Sequence, residues 1–218
     1  MNLDYSVLLP SLPLFLEGAW MTVKISILSL AIGLALGILG GFGRLSKNIF
    51  FQKITFLYIW VFRGTPLLVQ LFILYFGLPQ LGFDLTPFQA AIIGLSLNTG
   101  AYATEIVRSA LSAVDKGQYE AATSIGMSWG MAMFRIIGPQ AVKILIPPMV
   151  NQFIMTIKNS SMVSLLTITE LFRTGEMVIV STFRSFEVYT VIALIYLFIN
   201  SILMLLAYYL EKRMKVND

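Results

Sequence analysis

Two cations stand alone inside long apolar runs, and their chemistry needs explaining first. Arg63 is the only charged residue between Lys53 and Asp84, and Lys158 the only one between Lys143 and Glu170. A charge buried in hydrocarbon is costly and marks a site that handles a solute or an ion. Arg63 is followed by Gly64, Thr65 and Pro66. Thr is a good N-cap and Pro suits the first helical position, so the spacing predicts a helix that stops and restarts at mid-depth. The new half-helix would offer free N–H groups to a carboxylate. The alternative is a packing kink with Arg63 paired to a carbonyl or snorkelling. Lys158 is followed by Asn159, Ser160 and Ser161, and a third apolar run is broken at Asn98, Thr99 and Gly100. One polar break is ordinary interhelical glue. Three at similar depth point to a shared cavity and a substrate path. Glu105 and Arg108 lie three residues apart on one helix face and read as a helix-end ion pair.

The absences are as informative. There is no cysteine and no histidine. That removes thiol chemistry, disulfides, most zinc sites and histidine proton shuttles. Acidic residues are scattered, with no nucleophile–base set and no metal-ligand cluster, so no catalytic or metal site is expected. No G-x-x-x-x-G-K-[ST] phosphate loop occurs. A secondary transporter would need a mid-span acidic residue, and none is evident.

The elements that must position these residues follow from composition. Of 218 residues, 57% are hydrophobic and 12% charged, and the mean hydropathy is +0.82. A soluble fold could not hide that much apolar surface, so the solvent is a bilayer. A bilayer core of about 30 Å needs about 20 apolar residues in a helix. Continuous apolar runs, rather than alternating ten-residue strands, exclude a barrel. The runs predict an all-α integral membrane protein with five transmembrane helices near 20–42, 53–78, 87–108, 147–166 and 187–210, in a single domain over 1–218. Segment 2–20, broken by Pro10 and Pro13, reads as interfacial rather than as a cleavable signal. Basic residues cluster in the first loop (Arg44, Lys47, Lys53), in segment 109–146 (Lys116, Arg135, Lys143) and in the tail (Lys212, Arg213, Lys215). The positive-inside rule puts these in the cytoplasm, with the N-terminus outside and the C-terminus inside. The net charge of +4 thus marks cytoplasmic ends and not nucleic-acid binding.

Segment 109–146 is the least hydrophobic part of the chain. Asp115 can cap a short helix that runs through Glu120, Ala121, Ala122 and Ser124 and ends at Gly126, where a positive φ is tolerated. A second short helix over 129–137 precedes Pro139. The pair reads as a docking surface for a soluble partner, with small residues that allow close approach.

Glu120-Ala121-Ala122, then Gly126, Ile136 and Pro139, resembles the EAA loop of ABC importer permeases, with Gly138 where that pattern carries Leu. The stretch Arg63-Gly64-Thr65-Pro66-Leu67-Leu68-Val69-Gln70 and the stretch Leu97-Asn98-Thr99-Gly100-Ala101-Tyr102 resemble segments of the polar amino acid subfamily. The resemblance covers nearly the whole chain and implies the type I ABC permease fold in a bacterial cytoplasmic membrane. It implies four partners: a second permease chain (a copy favoured over a paralogue, with both open), a dimer of ABC ATPase subunits, an extracytoplasmic amino-acid-binding protein and the bilayer. ATP and Mg would be held by the ATPase, and this chain would hold no cofactor. The EAA loop would be the coupling helix, with Glu120, Ala121, Ala122, Ser124 and Gly126 at the ATPase. Arg63, Thr65, Pro66, Gln70, Asn98, Thr99, Tyr102, Glu105, Lys158, Asn159 and Ser160 would line the path. Glu105 is the nearest acidic candidate for an ammonium group. Asn159, where carriers of basic amino acids resembling this chain have an acid, favours cystine or another neutral polar amino acid. Basic amino acids and glutamine or glutamate are the alternatives. A channel or secondary transporter is more remote.

Overall fold

The computed structural model of the chain describes residues 3–214, and every regular element among them is helical. A 3-10 turn, Ser6–Ser11, leads into α1 (Leu12–Leu45), whose 34 residues make a rod about 50 Å long. α2 (Ile49–Gly64) is followed by α3 (Leu67–Phe72), which continues through a π turn to Gly77 and a 3-10 turn to Leu81. α4 (Pro87–Ala113) leads to α5 (Lys116–Ser124). α6 (Trp129–Ala132) passes through a π turn, Met133–Ile137, into α7 (Gly138–Asn159), and a 3-10 turn, Ser160–Leu166, follows. α8 (Leu171–Thr182) and α9 (Ser185–Met214) complete the fold.

The α1–α4 pair is the spine of the molecule. The residues that α1 buries there are small: Ser26, Ser29, Gly33, Gly37 and Gly41, spaced three or four apart on one face. A Cβ on Gly33 would stand 2.9 Å from Thr99 Cγ2, and one on Gly41 2.5 Å from Val107 Cγ1. In a bilayer, small residues let helix backbones approach until dispersion and packing replace the missing hydrophobic drive. Larger side chains gather in separate clusters. Ile25, Leu71, Leu95, Val163 and Leu166 form one buried cluster, and Leu8, Phe15, Leu171, Val188 and Ile192 another.

Among the described residues, two helical stretches are long and apolar enough to cross a membrane, Ser6–Leu45 and Ser185–Leu210. A third candidate is the pair Ile49–Gly64 and Leu67–Leu81, bent by 104° at the break. α4 and α7 have the length, but polar residues dilute their apolar content. These are Asn98, Thr99, Thr104, Glu105 and Arg108 in α4, and Asn151, Gln152, Thr156 and Lys158 in α7. Several are buried among neighbouring helices, where hydrogen bonds replace lipid contact.

Three expected boundaries move, and proline is the reason each time. Pro13 starts α1 instead of breaking it, because the first turn of a helix has no use for its missing N–H. The expected interfacial segment therefore joins the first long helix, and Asn2 lies outside the described residues, as does Lys215 in the tail. Pro139 does not end the helix that begins at Trp129, because the π turn before it shifts the hydrogen-bond ladder. Pro147 and Pro148 sit inside α7 rather than at the start of a span near 147. Gly138 also finds its reason here: a Cβ at 138 would stand 2.7 Å from the Met133 carbonyl in the π turn.

Candidate functional site

The break after α2 is real, but its capping differs from the expectation. Thr65 is extended (φ −121°, ψ 148°) and Pro66 occupies the N-cap of α3, so Thr65 does not cap the new helix. Its hydroxyl turns back and donates to Val61 O at 2.8 Å. Gln70, one turn into α3, folds its amide over the gap. Nε2 donates to Phe62 O at 2.9 Å, Thr65 Oγ1 at 2.9 Å and Thr65 O at 3.1 Å. Asn98 on α4 joins from the side, donating to Phe62 O at 3.1 Å and to Gln70 Oε1 at 3.2 Å. Both side chains are buried. A helix that breaks within hydrocarbon frees carbonyls, and neighbouring donors must take them up. Gln70 and Asn98 do so here. Tyr58 braces the same junction, its hydroxyl 2.6 Å from Leu97 O.

Thr99 and Asn98, neighbours in sequence, face different partners. Thr99 Oγ1 lies 3.1 Å from Thr156 Oγ1, a hydroxyl pair that joins α4 to α7. Further down α4, Tyr102 and Glu105 line a cavity of about 400 Å³ with Arg63, Ile106, Ser109, Ala110, Ala113, Ile144 and Pro148. The Arg63 guanidinium carbon sits 5.0 Å from the centre of the Tyr102 ring, within cation–π range. Glu105 is occupied: Arg108 Nη2 is 2.9 Å from its Oε2, the expected helix-end pair, and Arg44 Nε is 3.7 Å from its Oε1.

Lys158 does not line this cavity. It is exposed at the end of α7. Asn159 is partly buried beside it, and the buried Ser160 donates to Ile157 O at 2.8 Å while Ser161 donates to Lys158 O at 2.8 Å. These hydroxyls take up carbonyls left free where the α-helix tightens into a 3-10 turn. The residues expected along one path therefore separate into a break network (Thr65, Gln70, Asn98), an interhelical bond (Thr99), a cavity (Arg63, Tyr102, Glu105) and a helix end (Lys158, Asn159, Ser160). Pro66 is the exposed N-cap between the first and third groups.

The expected docking surface is built as the local sequence dictates. Asp115 caps α5, accepting from Gly117 N at 2.7 Å. Ser124 Oγ donates to Glu120 O at 2.9 Å, and Gly126 ends the turn at φ +81°. Glu120, Ala121, Ser124 and Gly126 are exposed. Ala122 is the exception, 1% exposed and turned into its own chain, so it supports the loop and cannot touch a partner. Sequence reading passed over the exposed apolar residues beside it, Ile125 at 73% and Phe134 at 87%. Only the fold shows which face of so short a helix is bare.

Glu170 was also missed as a site residue. Its side chain is fully buried, capping α8 by accepting from Phe172 N at 3.0 Å and Arg173 N at 2.8 Å. Thr22 of α1 and Tyr196 of α9 donate to the same carboxylate at 3.3 and 3.0 Å. Burial raises its pKa above the usual carboxylate range, with these hydrogen bonds opposing the rise. No local pattern could have shown a contact between residues 148 positions apart. Among the described residues, no group of three or more His, Cys, Asp or Glu could hold a metal ion.

A helical molecule with lipid-ready outer helices, a sharply bent helix pair and a cavity beside the bend has the organisation of a membrane transport subunit. The comparisons make this specific. Residues 33–216 match the family described as binding-protein-dependent transport system inner membrane component, and the chain belongs to that family. It is 38% identical over 218 residues to the glutamine transport system permease protein GlnP of Escherichia coli (strain K12), covering 99% of this chain and 100% of the relative. It is 41% identical over 219 residues to the arginine transport system permease protein ArtQ of Bacillus subtilis (strain 168), with full coverage of both. The L-cystine transport system permease protein TcyB of the same organism is 38% identical over 203 residues, 93% of this chain and 90% of the relative. A crystal structure of an amino acid ABC transporter with histidines superposes with a TM-score of 0.92 at 38% identity, covering 98% of this chain and 100% of that one.

Proposed function

We propose that this chain is the membrane-spanning subunit of an ATP-driven importer of polar amino acids in a bacterial cytoplasmic membrane. The observation that carries the reading is the capped, exposed α5 turn with Glu120 and Gly126, in a chain whose relatives are amino acid permeases over their full length. In this reading α1, α2 with α3, α4, α7 and α9 are five spans, with the N-terminus outside and the C-terminus inside. Two permease chains, copies of one another, form the path. A dimer of ATPase subunits holds ATP and Mg and seats the α5 turn. An extracytoplasmic binding protein delivers the amino acid. Closure of the ATPase pair draws the coupling turns together and shifts the chain between outward and inward access, because the two states bind the partners differently. Arg63 and Lys158 are the cations along the path.

The names of the relatives span glutamine, arginine and cystine, which supports polar amino acids as the substrate class. Asn159 beside Lys158 leaves no acid there for a cationic side chain, which favours cystine or another neutral polar amino acid. Arginine is the competing substrate, favoured by the 41% identical relative. Reconstitution with the cognate ATPase and binding protein, and ATP-dependent uptake of radiolabelled L-cystine, L-glutamine and L-arginine, decides among them. Uptake that persists without ATP refutes the importer reading.

A further inference from the structure

The bare surface of α8 changes character along its length. Leu171, Thr174, Gly175 and Val178 form its buried face. At its start the outer face carries an ion pair, with Arg173 Nη1 3.1 Å from Glu176 Oε2. Beyond that pair the outer face is apolar. Met177, Val180, Phe183 and, at the start of α9, Phe186 recur every three residues, and all four are exposed. Phe183 closes α8 in the left-handed region at φ +56°, its N–H donating to Ile179 O at 2.8 Å. Helices commonly end on a residue in this conformation, but the residue is normally glycine. A bulky side chain is strained there. Such strain persists only where something rewards it. Phe183 is 86% exposed, so its own chain leaves the ring uncovered. What covers it lies outside the chain.

We propose that the end of α8 and the α8–α9 turn form an interfacial anchor, with Val180, Phe183 and Phe186 sunk at the headgroup–acyl boundary of the bilayer. The proposal rests on the reading of α9 as a span and adds a lipid contact at its outer end. Two features choose lipid over a protein partner. The first is continuity. The stretch Ser185–Leu210 is long and apolar enough to cross a membrane, and little of it is buried in the chain. Its exposed Leu194, Leu197 and Phe198 continue the surface that Phe183 and Phe186 open. The turn therefore lies where a span begins, the level at which amphipathic rings gather in membrane proteins. The second feature is charge. Arg184 Nη1 is 3.2 Å from Glu187 Oε1, so all four charges between 171 and 187 are paired within the segment. A protein docking face sets its charges against those of its partner. Here the ion pair at one end and the bare apolar residues at the other match a helix that lies in the interface with its apolar side in the acyl boundary. Phe172 stacks on Tyr189 at 6.0 Å, and Tyr196 donates to Glu170 at the start of α8. The two helices are thus joined, and the depth of the turn sets the depth of the outer end of α9.

The chain has no cysteine, so one introduced cysteine is unique within it. Arg173→Cys, Val180→Cys and Phe183→Cys are made singly and labelled with a nitroxide. Each is reconstituted as the permease–ATPase complex in vesicles of phosphatidylethanolamine and phosphatidylglycerol, with the unsubstituted complex as the blank. Collision of the label with oxygen, which concentrates among acyl chains, is compared with collision with a water-soluble nickel chelate. The oxygen-to-chelate ratio at 180 and 183 should exceed that at 173 at least about threefold, because a helix of this kind sinks its apolar side about 5–10 Å into the boundary. A ratio at 183 equal to that at 173 overturns the proposal, since the turn then stands in water. Labels at 180 and 183 screened from both reagents also overturn it, as do labels that become screened when the binding protein is added, since the face is then a protein contact. If the cysteine variant at 183 does not assemble, Phe183→Trp answers the same question through fluorescence quenching by lipids brominated on their acyl chains. Quenching no greater than that of the wild-type complex overturns the proposal. Sidedness is scored separately with a membrane-impermeant thiol reagent on intact cells carrying Arg173→Cys: no reaction refutes the outside placement of α8, whichever way the depth ratio falls.

Discussion

Gln70→Leu tests whether the break between α2 and α3 is held by hydrogen bonds or by packing alone. Leu matches the side chain closely in volume, so the substitution removes donors without opening a large cavity. Two losses follow from the geometry. Thr65 O and Oγ1 lose the Gln70 donor at 3.1 and 2.9 Å, and an acceptor left unpaired in this partly buried setting costs about 1–3 kcal/mol. Asn98 loses Gln70 Oε1 at 3.2 Å but keeps Phe62 O at 3.1 Å, a smaller loss of about 0.6 kcal/mol by the average for hydrogen bonds between membrane helices. Phe62 O itself stays paired through Asn98. The total is about 2–4 kcal/mol, which lowers the melting midpoint by about 4–16 °C for a chain of this size. The assay is thermal unfolding of the purified permease–ATPase complex in detergent, read by loss of the monodisperse peak. Asn98→Leu should cost a similar amount. The double variant should depart from additivity by about 0.5 kcal/mol or more, because the two amides share a bond and an acceptor. A Gln70→Leu midpoint within about 1 °C of wild type would refute the argument. The carbonyls at the break would then have other donors, and the bend would be a packing feature.

Four further outcomes are expected. Glu120→Lys and Gly126→Val should abolish stimulation of the partner ATPase while the permease still inserts. The first reverses a charge on the exposed turn, and the second puts a β-branched residue at φ +81°; ATPase stimulation at wild-type levels in both would remove the docking role. Gly41→Leu should cost about 1–3 kcal/mol, because its side chain meets Val107. Gly130→Ala, with nothing within 4 Å of its Cβ, should be neutral or stabilising in the same melting assay. Glu170 carries a pKa raised by burial, so the folded state holds its proton more tightly than the unfolded chain does. Its contribution is thus most favourable at low pH and declines as pH rises through the folded value. Glu170→Gln should flatten that part of the stability–pH curve, and an unchanged curve would show that the carboxylate does not titrate there.

The parts of this molecule that were legible in sequence are those fixed by a few neighbouring residues. Asp115 as a cap, Gly126 as a left-handed turn and the Glu105–Arg108 pair each need only local geometry. The restart after Arg63 was legible as a break, because Gly-Thr-Pro cannot continue a helix smoothly. Which residue caps it was not, because Thr65 had two uses for its hydroxyl and tertiary contact decided between them. The prolines at 13 and 139 misled for one reason. A proline's cost depends on whether its missing N–H had a partner to lose, and that depends on helix phase. Glu170 shows the other limit. Its place as a pin between α1, α8 and α9 depends on Thr22 and Tyr196, which no local pattern connects to it.

The polar residues in the apolar runs also need sorting by a stricter rule than depth. A break in hydrocarbon has to be satisfied from within the protein, so polar side chains gather there whether or not a solute passes. Gln70, Asn98 and Ser160 each have a partner in this chain, and the bonds they make are those that a bent or tightened helix requires, while Thr99 joins α4 to α7. Coincident depth alone therefore does not tell a path from the architecture of a broken helix. Arg63 and Lys158 are different. Among the described residues, Arg63 faces the Tyr102 ring at 5.0 Å and Lys158 is exposed at the end of α7. What would separate transport from architecture is unspent hydrogen-bonding capacity, and depth in the apolar runs does not measure it.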